Sequence, residues 1–304
     1  MTSLGINLPG FEANDEDADR RIGWRHILPD DALLDWCAEH FTHVRLALSA
    51  RWMLPRAGDA PLAGLEPQNA DALEDCLNRI RQRGLLTLLN IHNFGWTPWG
   101  PLLENTTPYY GFVHLLMQRY HKLIWGLGLM NEPYTVPADR LCEIMQTAAN
   151  VVSAVDKSVY AVVPQPGYSP AAAGLSMAAV TTAYLKPYDE VHAYGDADGS
   201  GTYQQPYDQD GVTEDLLVNR LRPAFEAAKV QKRRPPLVGE IGVPGDDPRY
   251  VEMLRRALVY VRKQKGLAFV WQSGMFAADR LTIRPASSWE ASRGDALLAM
   301  IKTL

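Results

Sequence analysis

Two glutamates close short apolar segments of this chain and carry neighbours suited to acid–base work. Glu132 lies in Met130-Asn131-Glu132-Pro133, and Glu240 lies in Gly239-Glu240-Ile241-Gly242. Other polar residues close similar segments: Arg45, the run Asn90-Ile91-His92-Asn93, His192-Ala193-Tyr194 and Trp271. Buried polar groups cost energy unless paired, so a set drawn from six segments and meeting in one place points to chemistry rather than packing. Paired carboxylates suit glycoside hydrolysis. One acid protonates the departing oxygen, and the other carboxylate attacks the anomeric carbon if the two stand ~5–5.5 Å apart. The two groups must then differ in protonation. Arg45 is expected to hold Glu240 ionised, and repulsion from that charge to keep Glu132 protonated. The separation itself does not follow from spacing along the chain.

Eight segments rich in β-branched and apolar residues would position these side chains: 4–8, 42–47, 85–92, 123–131, 160–164, 190–194, 237–242 and 267–272. Helix-like amphipathic stretches alternate with them at 30–40, 65–83, 110–121, 138–155, 177–185, 213–230, 248–265 and 288–303. Regular strand–helix alternation implies βαβ units and a parallel sheet. Eight units predict an α/β fold, a single (β/α)8 TIM barrel spanning residues 1–304, with its site at the C-terminal ends of the strands. The G-x-G-x-x-G signature of an open doubly wound sheet is missing. Side-chain alternation before Glu132 puts Met130, Gly128 and Gly126 on its face, and turns Trp125 and Leu127 toward the helices as core.

Composition narrows the partners. The 304 residues carry a net charge of −5, and Lys232-Arg233-Arg234 reads as a solvated helix end, so no nucleic-acid partner is expected. No apolar run approaches the ~20 residues that span a bilayer, so no membrane insertion is expected. Met1-Thr2-Ser3 leads straight into a strand pattern, which predicts a cytoplasmic chain or one whose leader has been removed. Cys37, Cys76 and Cys142 are an odd, sparse set and read as buried free thiols. No C-x-x-C or H-E-x-x-H pattern offers a metal, and no cofactor is expected. Asp196-x-Asp198-Gly199 faintly resembles a calcium loop but lacks the later acidic ligand, so it reads as a polar loop edging a cleft. His26, His40, His43, His114 and His121 read as surface or helix residues.

At the strand-end residues the sequence resembles glycoside hydrolase family five, the cellulase family. Leu129-Met130-Asn131-Glu132-Pro133 is similar to its acid/base motif and Val238-Gly239-Glu240-Ile241-Gly242 to its nucleophile strand, while Arg45, His92, His192, Tyr194 and Trp271 fall at its other site positions. Residues 191–202, with Gly5-Ile6-Asn7-Leu8, resemble a subgroup of endo-β-1,4-glucanases. Two departures stand out: Asn90 where Asp is usual, and Gln272-Ser273 where a second aromatic is common. The resemblance implies that Asn131 bonds the sugar 2-hydroxyl, that Tyr194 and Arg45 orient Glu240, that His92 and His192 position sugar and Glu132, and that Trp271 floors the cleaved sugar's subsite. It implies a β-1,4-glucan polysaccharide as substrate, with β-mannan or another β-glucan as rival and a non-catalytic carbohydrate-binding barrel as the alternative of another class. Asn93, Trp24, Trp96, Trp99 and Tyr168 are the expected substrate contacts. A monomer, secreted or periplasmic after loss of a leader, is expected.

Overall fold

The computed structural model describes residues 4–12, 28–55, 64–274, 280–283 and 294–304. Eight parallel strands close into a barrel: β1 (Leu4–Leu8), β2 (His43–Leu48), β3 (Leu86–Ile91), β4 (Gly126–Gly128), β5 (Tyr160–Pro164), β6 (Tyr188–Tyr194), β7 (Leu237–Gly242) and β8 (Leu267–Val270), each bonded to its neighbours in chain order and β8 back to β1. The (β/α)8 barrel read from the sequence is therefore the fold. Its helices are α1 (Asp31–His40), α2 (Ala50–Met53), α3 (Pro67–Gln82), α4 (Thr106–Tyr120), α5 (Ala138–Val155), α6 (Tyr207–Asp210), α7 (Leu216–Val230), α8 (Pro248–Lys263) and α9 (Asp295–Ile301). Their starts follow from local chemistry. Asp30 accepts the Leu33 amide at 2.7 Å at the start of α1, and Asp247 caps α8 just before Pro248. Among the described residues no helix is long and apolar enough to cross a membrane.

The barrel interior is layered. Leu88, Val162, Leu237, Leu267 and Phe269 form a compact apolar plug at the end where the strands begin. The larger apolar cluster fills the space between strands and helices, with Leu73, Leu77 and Ile80 of α3 and Leu254 and Leu258 of α8 among its members. Gly5 leaves room for the plug, since a Cβ there would stand 2.3 Å from the Phe269 ring.

Five expectations change. The segment 177–185 forms no helix; a 3-10 turn, Ala171–Ala173, precedes an irregular run instead. Side chains satisfy its backbone: Gln165 accepts from Ser176 and Met177, Gln146 both donates to and accepts from Thr181, and Arg233 donates to the Met177 carbonyl. The β-branched Val180-Thr181-Thr182 run disfavours helix there. Arg233 and Arg234 are accordingly no solvated helix end. Arg233 pairs with Asp189 at 3.1 Å, and Arg234 lies over Tyr188 and Tyr160 at 4.2 and 4.7 Å. Trp125 packs under the plug, edge-on to His43 at 5.1 Å, rather than facing the helices. His43 is buried there too, not on the surface. Cys37 and Cys76 are buried free thiols, and Cys142 is a half-buried one.

Candidate active site

The polar strand ends do meet. Arg45 from β2 is fully buried and joins four of them. Its Nη1 donates to Asn7 Oδ1 and Glu240 Oε1, both at 2.9 Å; its Nη2 donates to Asn131 Oδ1 at 2.6 Å and lies 3.0 Å from Glu190 Oε1. Tyr194 donates to the other oxygen of Glu240 at 2.6 Å. Burial alone would raise Glu240, but the positive charges of His192 and Arg45 outweigh it and hold this carboxyl down to about 2.

Two local irregularities aim the glutamates. On β7 the register against β6 slips, so that Val191 faces Val238 and His192 faces Glu240, with Gly239 as the extra residue. Strict alternation from inward Leu237 would turn Glu240 outward. The bulge brings Glu240 in and returns Ile241 to the outer apolar layer. After β4 the chain leaves extended geometry. The Leu129 carbonyl accepts from Tyr109 at 2.5 Å, the Asn131 amide donates to the Ile91 carbonyl at 2.7 Å, and Glu132 takes φ +40°. Asn131 and Glu132, successive residues, therefore both reach the centre. The expected inward position of Met130 is replaced by burial in the main apolar cluster. A non-glycine residue at positive φ costs about 1–3 kcal/mol, and such strain gathers at functional sites.

Glu132 Oε1 stands 2.7 Å from His192 Nδ1. Burial raises the Glu132 carboxyl, the hydrogen bond from His192 opposes it, and the Glu240 charge adds to the rise. The expected repulsion from Glu240 is present, but burial is the larger cause. One oxygen of each glutamate and a ring nitrogen of His192 lie within 4.8 Å of one another. Such a trio has the ligand types for a metal ion. Arg45 already supplies the positive charge on Glu240 and would repel a dication.

His92 is neutral, held down to about 3 chiefly by burial. Its Nδ1 meets Asn90 Oδ1 at 3.2 Å and its Nε2 meets Asn131 Nδ2 at 3.2 Å, which assigns the proton to Nδ1. Asn131 is thereby fixed at both ends of its amide. Trp271 stacks near the His92 ring, with centroids 6.2 Å apart at 22°.

The loop after β6 braces Tyr194. Buried Asp196 accepts the amides of Gly201, Thr202 and Tyr203 and the Ser200 hydroxyl. Arg220 ties the carbonyls of Tyr194, Asp196 and Ala197. Gly201, at φ +78°, runs so close that a Cβ would lie 2.9 Å from the Tyr194 ring. The Asp-x-Asp-Gly run is thus a self-satisfied turn behind Tyr194, its carboxylate spent on the backbone.

The expected substrate contacts fare unequally. Trp96 is exposed on a short hairpin pairing Trp96–Thr97 with Gly100–Pro101. Tyr168 is 59% exposed and stacks on Tyr134, 47% exposed, at 5.0 Å and 15°. Trp99 is half-buried, packed on one side against the apolar core. Asn93 is buried, accepting the Ala50 amide at 2.8 Å and donating to Ser49, so it holds the loop after β2 rather than a ligand. Trp24 lies outside the described residues, as does His26.

Sequence reasoning passed over three groups. Asn7 accepts from Arg45 and donates to backbone carbonyls of β7 and β8. Glu190 lies fully buried beside Arg45. Glu12, just after β1, accepts the Gly10 amide at 2.7 Å, and burial pushes its carboxyl up to about 7. Asn7 and Glu190 carried a signal: each lies on the inward face of its strand.

A closed parallel barrel with two carboxylates and an arginine gathered at its C-terminal mouth defines a glycoside hydrolase of the barrel type. A family model, Cellulase (glycosyl hydrolase family 5), matches residues 4–276, and the chain belongs to that family. None of the curated proteins matches the chain. Among solved structures it is similar to endoglucanase Cel5A of Pseudomonas stutzeri, at 20% identity and a TM-score of 0.86, over 99% of this chain and 93% of that one. It is similar to the endo-β-1,4-glucanase Xac0029 of Xanthomonas axonopodis pv. citri, at 19% identity and 0.83, over 100% and 99%. Cel5A (EG2) of Hypocrea jecorina follows at 15% identity and 0.75, over 98% and 96%. At these identities the likeness is one of fold.

Proposed function

We propose that the chain is a retaining endo-β-1,4-glucanase working by double displacement. The carrying observation is the close approach of Glu132 and Glu240, whose carboxylate oxygens come within 4.8 Å. Retaining enzymes hold their carboxyl groups about 5–5.5 Å apart, and inverting ones leave about 6.5–9.5 Å for a water. Glu240, held anionic by Arg45 and Tyr194, attacks the anomeric carbon and forms a glycosyl ester. Glu132 gives its proton to the departing glycosidic oxygen. With Glu240 esterified, its charge no longer opposes ionisation of Glu132, which then takes a proton from water as that water attacks the same carbon and releases Glu240. Asn131, fixed by Arg45 and His92, meets the 2-hydroxyl, and Trp271 supplies an apolar floor for the ring's C–H face. Trp96 and Tyr168, exposed on loops that follow β3 and β5, offer further stacking faces.

The β-1,4-glucan assignment rests on family membership and on relatives of that description, one of them solved in complex with cellopentaose. A polymer of that kind does not enter cells, so the enzyme works outside the cytoplasm. Reducing-sugar release from carboxymethylcellulose, beside mannan and xylan, tests the substrate. Release only from mannan would move it to the rival. Proton NMR of the first product from cellopentaose tests the stereochemistry: a β-anomer is expected, and an α-anomer would overturn double displacement.

A further inference from the structure

Glu190 takes no part in those steps, yet its carboxylate is 0% exposed inside the barrel. Oε1 lies 3.0 Å from Arg45 Nη2 and 3.5 Å from His192 Nε2. Neither its two oxygens nor His192 Nε2 has a well-formed hydrogen bond. Burying an anion is expensive even when it is paired, and a packing role would be filled better by an apolar side chain. The chain nevertheless makes space for it. A Cβ on Gly239 would stand 2.0 Å from Glu190 Oε1, so the slot exists only with glycine there.

The groups around His192 show what that charge does. Glu132 of the β4 end lies 2.7 Å from Nδ1, Glu240 of β7 lies 3.7 Å from the same nitrogen, and Glu190 of β6 faces the opposite nitrogen. Arg45 of β2 and His92 of β3 complete the ring of charged and titratable groups, with Tyr194 on Glu240. We propose that Glu190 is a positioning residue for the acid/base: its carboxylate beside Nε2–H favours the doubly protonated His192 ring, in which Nδ1 also carries a hydrogen and donates to Glu132, and so keeps the proton that Glu132 delivers inside the Glu132–His192 pair. Burial works against a charged His192, but the carboxylates of Glu240, Glu132 and Glu190 outweigh it and hold the ring up to about 10. Arg45 in turn holds Glu190 below the usual carboxylate range despite its burial. The proposal rests on Glu132 being the acid.

Glu190→Gln keeps the shape and removes the charge. Nitrogen-15 NMR of the histidine rings, with His192 assigned from a His192→Gln sample, reads the proton directly. His192 is expected to stay protonated past pH 8 in the native protein, and to titrate lower by about one pH unit or more in the variant. The basic limb of kcat/KM on cellopentaose should fall by the same amount. At pH 8 the loss on 2,4-dinitrophenyl β-cellobioside, whose leaving group needs no proton, should be smaller. A folded variant with an unmoved His192 midpoint and an unmoved basic limb, whatever its rate, would overturn the proposal. If Glu190→Gln does not fold, the native titration decides: a His192 that loses its proton near pH 6.5 refutes it. If no β-1,4-glucan is cleaved, the substrate reading fails, while the NMR titration still judges Glu190.

Discussion

His43 and His192 are both buried, at opposite ends of one barrel, and they are driven in opposite directions. Burial under the apolar plug holds His43 down to about 4. His192 is as deeply buried but is held up to about 10, because three carboxylates surround it. Burial penalises charge in both places, and only neighbouring charge reverses the sign. The floor meets the penalty by staying neutral. The mouth meets it by pairing: Arg45 touches Glu240 and Glu190, and His192 touches Glu132. The irregular backbone is also at the mouth, with Glu132 at φ +40° and the bulge at Gly239. A parallel barrel can thus spend stability at one end because the other is a plain apolar core.

The largest expected effects come from breaking the mouth's pairing at the two glutamates proposed to react. Glu240→Gln should lower kcat by about three decades or more on every substrate while the protein stays folded, as measured by steady-state kinetics and calorimetry. Glu132→Ala should lose as much on cellopentaose but far less on 2,4-dinitrophenyl β-cellobioside, and azide should restore part of its turnover. Full activity in either variant refutes the pair. Arg45→Met comes next. It strands Glu240 and Glu190, so unfolding in denaturant should show a loss of about 3–5 kcal/mol. Glu240 sits well below its ordinary pKa in the folded protein, so its share of stability is present above that ordinary value and is lost as pH falls toward about 2. Removing Arg45 raises that pKa, and the acid limb of kcat/KM should move to higher pH. An unmoved limb would mean that other groups keep Glu240 ionised.

The contrast between mouth and floor also explains which features were legible in the sequence. Apolar runs ending in polar residues marked Arg45, His92, Glu132, His192, Tyr194, Glu240 and Trp271, because a barrel mouth imposes that pattern. The bulge was invisible: alternation alone cannot say that Gly239 is the doubled residue, only pairing with β6 can. Glu190 was readable but unread. It lies two residues before His192 on the same strand, and period-two alternation puts both inside. Trp125 was misplaced because it precedes β4, beyond the rim where inside and outside alternate. The absent helix at 177–185 was hidden because its backbone partners, Gln146, Gln165 and Arg233, lie on distant segments.

A smaller effect should sharpen the floor's side of the comparison. His43 has a folded pKa of about 4, below its ordinary value near 6.5. The unfolded chain therefore binds its proton first, and stability present above pH 6.5 is lost as pH falls toward 4. One such group is worth about 3 kcal/mol over that span. His43→Leu should leave kcat unchanged and flatten the fall in melting temperature between those pH values, read by calorimetry across a pH series. An equally steep fall would assign the loss to another group, with His92, held down to about 3, the first to be tested.

The smallest effect lies outside the charged ring, on the aromatic pair at the rim. Tyr134 follows Glu132 by two residues, and Tyr168 stacks on it with more than half its surface exposed. An aromatic face of this kind contributes about 1 kcal/mol to holding a sugar ring. Tyr168→Ala should therefore raise KM for cellopentaose about fivefold and leave kcat nearly unchanged. Cellobiosyl fluoride does not reach past the cleaved bond, so its kcat/KM should stay the same. A fall in kcat on both substrates would place Tyr168 among the supports of the Glu132 loop, and so within the charged mouth rather than on a platform beyond it.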